Sequence, residues 1–122
     1  ILGNDDLMVG RADEIELAGD FFDFTEKYSL KTSKIHMPAR ISSETEARIQ
    51  KTAKQIYRIL GCSVFARVDL FLQKDGSILF NEVNTIPGFT EHSRFPSMLK
   101  GIGLSFSEIV AAILRLGMEN EA

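Results

Sequence analysis

R-V-D-L-F-L-Q-K-D-G-S-I-L-F-N-E-V-N-T-I-P-G, residues Arg67 to Gly88, decides how this chain is built. Apolar and polar residues alternate on both sides of Asp75-Gly76, a dipeptide suited to a tight turn, so the stretch reads as a β-hairpin. With Asp75 and Gly76 as the loop, Lys74 faces Ser77. Counting back along the strands then sets Asp69 opposite Glu82 and Arg67 opposite Asn84. Side chains in a strand repeat every second residue, so these four project from one face. A loop one residue longer or shorter would set Asp69 against Asn81 or Val83 and part the two carboxylates. The same count opposes Phe71 to Phe80, an apolar floor beside the charged patch. It turns Val68, Leu70, Leu72, Leu79 and Val83 toward the helices.

Like charges directly opposed in a ladder are destabilising, so Asp69 against Glu82 needs a compensating cation. Arg67 supplies one positive charge and a divalent metal could supply the rest. A donor set of Asp, Glu and Asn is all oxygen, which suits Mg²⁺. A solvated ion-pair cluster fits the same spacing, and spacing alone does not choose between the two.

The chain has 122 residues, room for one core but little for an enzyme with its own complete nucleotide site. A net charge of -3 gives no reason to expect nucleic acid or an anionic membrane as partner. The one cysteine, Cys62, cannot form an internal disulfide and reads as an inert buried thiol. No apolar run has the length of a membrane span and no signal peptide is visible. The opening at Ile1-Leu2-Gly3, without Met, reads as the start of an excised piece of a longer protein.

Ile1 to Leu17 reads as two short strands around the turn Asn4-Asp5-Asp6, the second in Leu7 to Val9 or Glu14 to Leu17. Phe21, Phe22 and Phe24 read as core, with one of them available to wall a planar ligand. Thr25 to Ile35 has neither period and reads as a loop, in which Lys27 and Tyr28 suit a phosphate or carboxylate, or simply solvent. Ser43 to Glu46 fits a capping box ahead of an amphipathic helix that carries Ala47, Ala53, Ile56, Tyr57 and Leu60 and ends at Gly61. Its outer face, with Arg48, Lys51, Lys54 and Arg58, reads as solvated. After the hairpin, Thr85 to Ser93 is a loop in which Gly88 leaves a backbone N–H open to a ligand, or marks a plain turn. His92-Ser93 lacks the context of a catalytic triad. Phe95 to Lys100 reads as a short helix, and Ser105 with Glu108 caps a terminal amphipathic helix that frays from Glu119.

Ala66-Arg67-Val68-Asp69, the run from Asn81 to Thr90, and His92-Ser93 together resemble the C-terminal part of the D-alanine:D-alanine ligase family of the ATP-grasp superfamily. The Phe22 to Tyr28 segment resembles the start of that family's mobile ω-loop. The resemblance covers nearly the whole chain. It implies an α+β fold, the C-terminal ATP-grasp subdomain over residues 1–122, with a mainly antiparallel sheet, flanking helices and the rest of the enzyme upstream. It also implies a cytoplasmic, homodimeric full-length enzyme that phosphorylates D-alanine with ATP and lets a second D-amino acid attack the acyl phosphate. Such an enzyme serves peptidoglycan precursor synthesis, and the isolated piece is expected to be inactive.

Carried over residue by residue, Asp69, Glu82 and Asn84 match the ligands of two Mg²⁺ ions, with Glu82 bridging; Mn²⁺ takes the same donors. Arg67 matches the arginine that steadies the transferred phosphate, and the Gly88 N–H matches an oxyanion donor. Ser93 matches the serine on the acceptor carboxylate, and Lys27 and Tyr28 match loop residues that close over the site. Phe21, Lys27, Asn81 and Glu82 fall on the nucleotide side. Arg94, in H-S-R-F-P, stands where D-alanine-specific ligases carry an apolar residue and resembles the vancomycin-resistance ligases that use D-serine or D-lactate. Glu26-Lys27-Tyr28 keeps the loop pattern from which the lactate enzymes depart. D-serine is therefore the preferred acceptor, with D-alanine and D-lactate as alternatives. A non-catalytic, ion-pair-rich module that binds a partner through Thr25 to Ile35 is the rival from another class.

Overall fold

The structure, a computed structural model, describes residues 1–16 and 34–120. Strands β1 (Glu14–Glu16) and β2 (Lys34–His36) form one antiparallel pair, and β3 (Arg67–Leu72) and β4 (Ile78–Asn84) form another. Helices α1 (Ser43–Ile59), α2 (Arg94–Lys100) and α3 (Phe106–Asn120) flank them. This is the α+β arrangement of antiparallel strands and helices expected from the sequence. Phe21, Phe22, Phe24, Lys27 and Tyr28 lie outside the described residues.

The hairpin reaches its expected register at the base by an unexpected route. Gln73 N donates to Ser77 O at 2.9 Å and Gly76 N to Gln73 O at 3.0 Å, so the loop is Lys74-Asp75-Gly76, one residue longer than the two-residue turn. Gly76 takes the left-handed conformation, φ 89°, that closes a loop of this length. The longer loop pairs Leu72 with Ile78, Phe71 with Leu79 and Leu70 with Phe80. Continued unbroken, that phase would oppose Asp69 to Asn81. A β-bulge between Asp69 and Leu70 absorbs Asn81, and beyond it Asp69 faces Glu82, Val68 faces Val83 and Arg67 faces Asn84.

The longer turn corrects the apolar faces. Phe80 is opposite Leu70, not Phe71, and lies with Ile56, Ile59 and Leu60 around an apolar groove of about 170 Å³ on the α1 side. Leu79 pairs with Phe71 and shares its face. Both are about half exposed.

Two apolar clusters are divided by the first residues of the chain. Ile1 packs with Ala53, Tyr57 and Ala66, and Leu2 with Phe95, Leu99, Ile109 and Leu116. Ile1 and Ala66 exchange backbone hydrogen bonds, Ile1 N to Ala66 O at 2.8 Å and Ala66 N to Ile1 O at 3.0 Å. Neighbouring residues in extended backbone point oppositely, which sends one side chain toward α1 and the next toward α2 and α3. Leu2 also bridges Met8 across Asn4-Asp5-Asp6, so the two strands expected there reduce to a single bridge. The strand near Glu14 is β1; its partner β2 takes in Lys34 and Ile35, which the sequence left in a loop. Three residues are too few to show a period, and the pairing is not local.

The first helix starts one residue earlier than its sequence suggests. Ser42 is the cap, its Oγ accepting from Thr45 N at 3.1 Å. Glu46 is thereby released from the expected box with Ser43 and reaches across to Arg11 Nε, at 3.1 and 3.0 Å, and to Ala12 N at 2.9 Å. Leu60, expected on the buried face, is 57% exposed at the helix end. The second box forms as expected: Ser105 N donates to Glu108 Oε1 at 3.0 Å and Glu108 N to Ser105 Oγ at 3.1 Å. The helix it starts continues through Asn120, past the expected fraying point. Gly10 lets the Arg11 segment cross α2 closely, since a Cβ there would lie 2.7 Å from the Met98 carbonyl. Among the described residues no helix is long and apolar enough to cross a membrane.

Burial pushes the Glu46 carboxyl up, but the hydrogen bonds from Arg11 and the Ala12 amide, with the Arg11 charge, together outweigh it and hold the carboxyl below its ordinary value. A lowered folded-state pKa gives stability that is present above the unfolded value, about 4.3, and lost as pH falls through the lower folded value. Glu46→Gln is therefore expected to lower the urea midpoint at pH 7. The gap from the parent chain should close as the pH is taken below the carboxylate range, which urea titrations at the two pH values would read.

Candidate functional site

The base of the hairpin brings Arg67, Asp69, Glu82 and Asn84 together, two from each strand. Arg67 grips Asp69 through Nε to Oδ1 at 2.8 Å and Nη2 to Oδ2 at 2.9 Å. The same Nη2 lies 3.9 Å from Glu82 Oε1. One guanidinium thus stands between two carboxylates that the ladder forces to face each other. Its hydrogen bonds to Asp69 hold the Arg67 pKa above its ordinary value; burial opposes, and the charges of Asp69, Glu82 and Asp13 add to the rise.

Asp13, just before β1, enters the site without having been singled out in the sequence. Its Oδ2 accepts from Arg94 Nε at 2.8 Å, joining the segment before β1 to the first residue of α2. Burial raises the Asp13 carboxyl, Arg94 works against that rise, and the charge of Asp69 adds to it. Nothing local marks this residue: R-A-D-E-I-E reads as ordinary surface charge, and its partner is 81 positions away.

Beyond β4, Asn84 Oδ1 accepts from Ile86 N at 3.0 Å and turns the chain into the loop that holds Gly88. Pro87 is buried there. Gly88 neighbours Ser93: a Cβ built at Gly88 would sit 3.4 Å from Ser93 Oγ. Ser93 Oγ accepts from Thr90 N at 2.9 Å and lies 2.8 Å from Thr90 Oγ1. Phe89 anchors the loop among Phe65, Phe95 and Phe106, with ring centroids 6.2, 6.0 and 5.4 Å away. Lys100 Nζ adds a hydrogen bond to Glu91 O at 2.8 Å. Asn81, an expected nucleotide contact, is the exposed extra residue of the bulge.

Among the described residues no group of three or more His, Cys, Asp or Glu is arranged to hold a metal. The candidate set is therefore two carboxylates and one amide oxygen. Those hard oxygen donors fit Mg²⁺, with the Asn84 Oδ1 keeping a lone pair beyond its bond to Ile86. The Arg67 fork takes one lone pair on each Asp69 oxygen and leaves the second on each.

A family model described as D-ala D-ala ligase C-terminus matches residues 1–115. Vancomycin C-type resistance protein VanC2 of Enterococcus casseliflavus is 45% identical over 119 residues, which is 98% of this chain and 34% of that protein. A D-alanine–D-alanine ligase of Chlorobium phaeovibrioides is 43% identical over 122 residues, 99% of this chain and 34% of that one. Among solved structures, the VanG D-Ala:D-Ser ligase from Enterococcus faecalis matches with a TM-score of 0.84 and 63% identity, over 94% of this chain and 34% of its own. A D-alanine–D-alanine ligase from Bacillus anthracis complexed with ATP matches with a TM-score of 0.72 and 28% identity, over 90% and 34%. The chain thus spans about a third of the length of these relatives.

The pair of Asp13 and Arg94 is open to a double-mutant cycle. Asp13→Asn, Arg94→Gln and the double variant should give a coupling of about 1.5 kcal/mol in urea unfolding, the scale of a part-buried charged hydrogen bond. A coupling near zero would mean that the contact does not hold in solution.

Proposed function

This chain belongs to the D-alanine–D-alanine ligase C-terminal family, and on that premise we propose that the whole protein uses ATP to join D-alanine to a second D-amino acid, D-serine first. The observation that carries this reading is the single face holding Arg67, Asp69, Glu82 and Asn84, with Ser93 and Arg94 at the start of α2. In this reading the product serves peptidoglycan precursors of the kind that evade vancomycin.

Each residue has a role that its chemistry suits. Asp69, Glu82 and Asn84 hold divalent metal through oxygen. Bound Mg²⁺-ATP supplies the phosphoryl group that turns the first carboxylate into an acyl phosphate. Once a metal shares the Asp69 charge, the Arg67 fork is free to meet phosphate oxygens, a geometry that guanidinium matches bidentately. The Gly88 N–H donates to the oxyanion that develops as the second amine attacks. Ser93 donates to the acceptor carboxylate. Phe21 and Asn81 line the nucleotide, and Lys27 and Tyr28 close the site against water.

Arg94 bears on the acceptor. Its Nε bond to Asp13 tethers the guanidinium at one end and leaves its Nη N–H groups as further donors. A planar donor suits a hydroxyl on the acceptor better than a methyl group. The 63% identity to a D-Ala:D-Ser ligase supports the same choice.

One observation favours a second reading. Both Asp69 oxygens already accept from Arg67, as they would in an ion-pair cluster of a non-catalytic module. Asp69→Asn and Glu82→Gln in the full-length protein separate the two. Each should cut D-alanine-dependent phosphate release from ATP by roughly tenfold or more, since even the outer-shell partners of a metal ligand cost about 10–100-fold when lost; unchanged release sinks the ligase reading of this face. With D-alanine, D-serine and D-lactate competing as acceptors, D-serine should lead, and Arg94→Met should move the preference toward D-alanine by roughly 10-fold or more. A parent enzyme that already prefers D-alanine would end the D-serine assignment and leave the ligase intact.

A further inference from the structure

We propose that Thr90 is a positioning residue whose hydroxyl makes Ser93 a one-way hydrogen-bond donor toward an anionic group of the acceptor substrate. The proposal rests on the reading of Ser93 as the ligand of the acceptor carboxylate.

Ser93 occupies the N-cap of α2 in extended backbone, φ -70° and ψ 156°. A serine there normally bends its hydroxyl forward to an N–H of the second or third helical residue. This one makes no such bond. The third helical residue is Pro96, which has no N–H to offer. The hydroxyl is turned back instead over the Thr90–Ser93 turn, which Ser93 N closes by donating to Thr90 O at 3.1 Å.

A serine hydroxyl has one proton and two lone pairs. The Thr90 N–H, 2.9 Å from Ser93 Oγ, takes one lone pair. The Thr90 hydroxyl, 2.8 Å away, has two ways to meet the rest. If Ser93 donates to Thr90, its proton is used inside the turn and none faces outward. If Thr90 donates to Ser93, both lone pairs are filled and the proton of Ser93 is left to point away from the turn. An anion beside Ser93 selects the second state, and donation by Thr90 then polarises the Ser93 O–H further. In that state Ser93 offers no lone pair, so it accepts a carboxylate and turns away a donor such as an ammonium group. Gly88 keeps the approach uncrowded, as even a Cβ would stand 3.4 Å from Ser93 Oγ. Thr90 is exposed, so its hydroxyl can be removed without entering the core.

The test is acceptor kinetics of the full-length protein, with D-serine varied at saturating ATP and D-alanine. Thr90→Val should raise the acceptor KM roughly three- to tenfold and leave kcat within about twofold, the pattern of lost uniform binding. Thr90→Ser should restore the parent value. In a Ser93→Ala background Thr90→Val should add nothing, because Thr90 acts through Ser93. A KM unmoved by Thr90→Val while Ser93→Ala raises it would overturn the role of Thr90 alone. Equal effects of Thr90→Val with and without Ser93 would overturn it too. If Ser93→Ala leaves the acceptor KM unchanged, the reading of Ser93 fails first and takes the proposal with it.

Discussion

A carboxylate facing a carboxylate across two hydrogen-bonded strands is the constraint on which the site depends. The ladder opposes Asp69 to Glu82, and opposed like charges cost stability unless a cation stands between them. Arg67 does so on the same face, bidentate to Asp69 and within 3.9 Å of Glu82. A second pair, Asp13 with Arg94, lies close enough for the charges of Asp69 and Arg67 to be felt at Asp13. Among the described residues Asp13, Asp69 and Glu82 thus gather around Arg67 and Arg94. Asp69, Glu82 and Asn84 present an oxygen-only donor set, the kind that suits a hard cation.

The loop after the hairpin is built as firmly as the strands. Phe89 reaches into an aromatic group with Phe65, Phe95 and Phe106, Pro87 is buried, and Lys100 holds the Glu91 carbonyl from the far end of α2 while lying over Phe106. Gly88, Thr90 and Ser93 are thus carried on backbone tied to the core at several points. That is the support a binding group needs if it is to hold its direction before a ligand arrives. The packing of α2 and α3 against Leu2 is, through Phe95 and Phe89, part of what positions the polar groups above them.

The sequence made the helices and the charged hairpin legible because both rest on local period and local capping. Ser105 and Glu108 read as a capping box and form one, since both partners lie within one turn. The first helix starts a residue early because Ser42 and Ser43 are equally good caps, and a long-range contact of Glu46 with Arg11 decides between them. Asp13 and the strand β2 were not legible, and β1 was legible only as one of two positions, because what defines them is a partner far along the chain. The opposition of Asp69 and Glu82 was read from a turn one residue too short. It holds because the Asn81 bulge makes up the difference, and the faces of Leu79 and Phe80, on the other side of that bulge, came out exchanged.

That bulge divides the hairpin mechanically. On the tip side the ladder runs in a phase set by the turn, and on the base side in a phase set by Val68 against Val83 and by the charges. A joint of this kind takes up slack. A residue gained or lost at the tip can be absorbed there without carrying the carboxylates to opposite faces of the sheet. The tip is thereby open to drift in length across evolution while the base stays in step, and gaps in this hairpin should be sought at the turn and at Asn81 together.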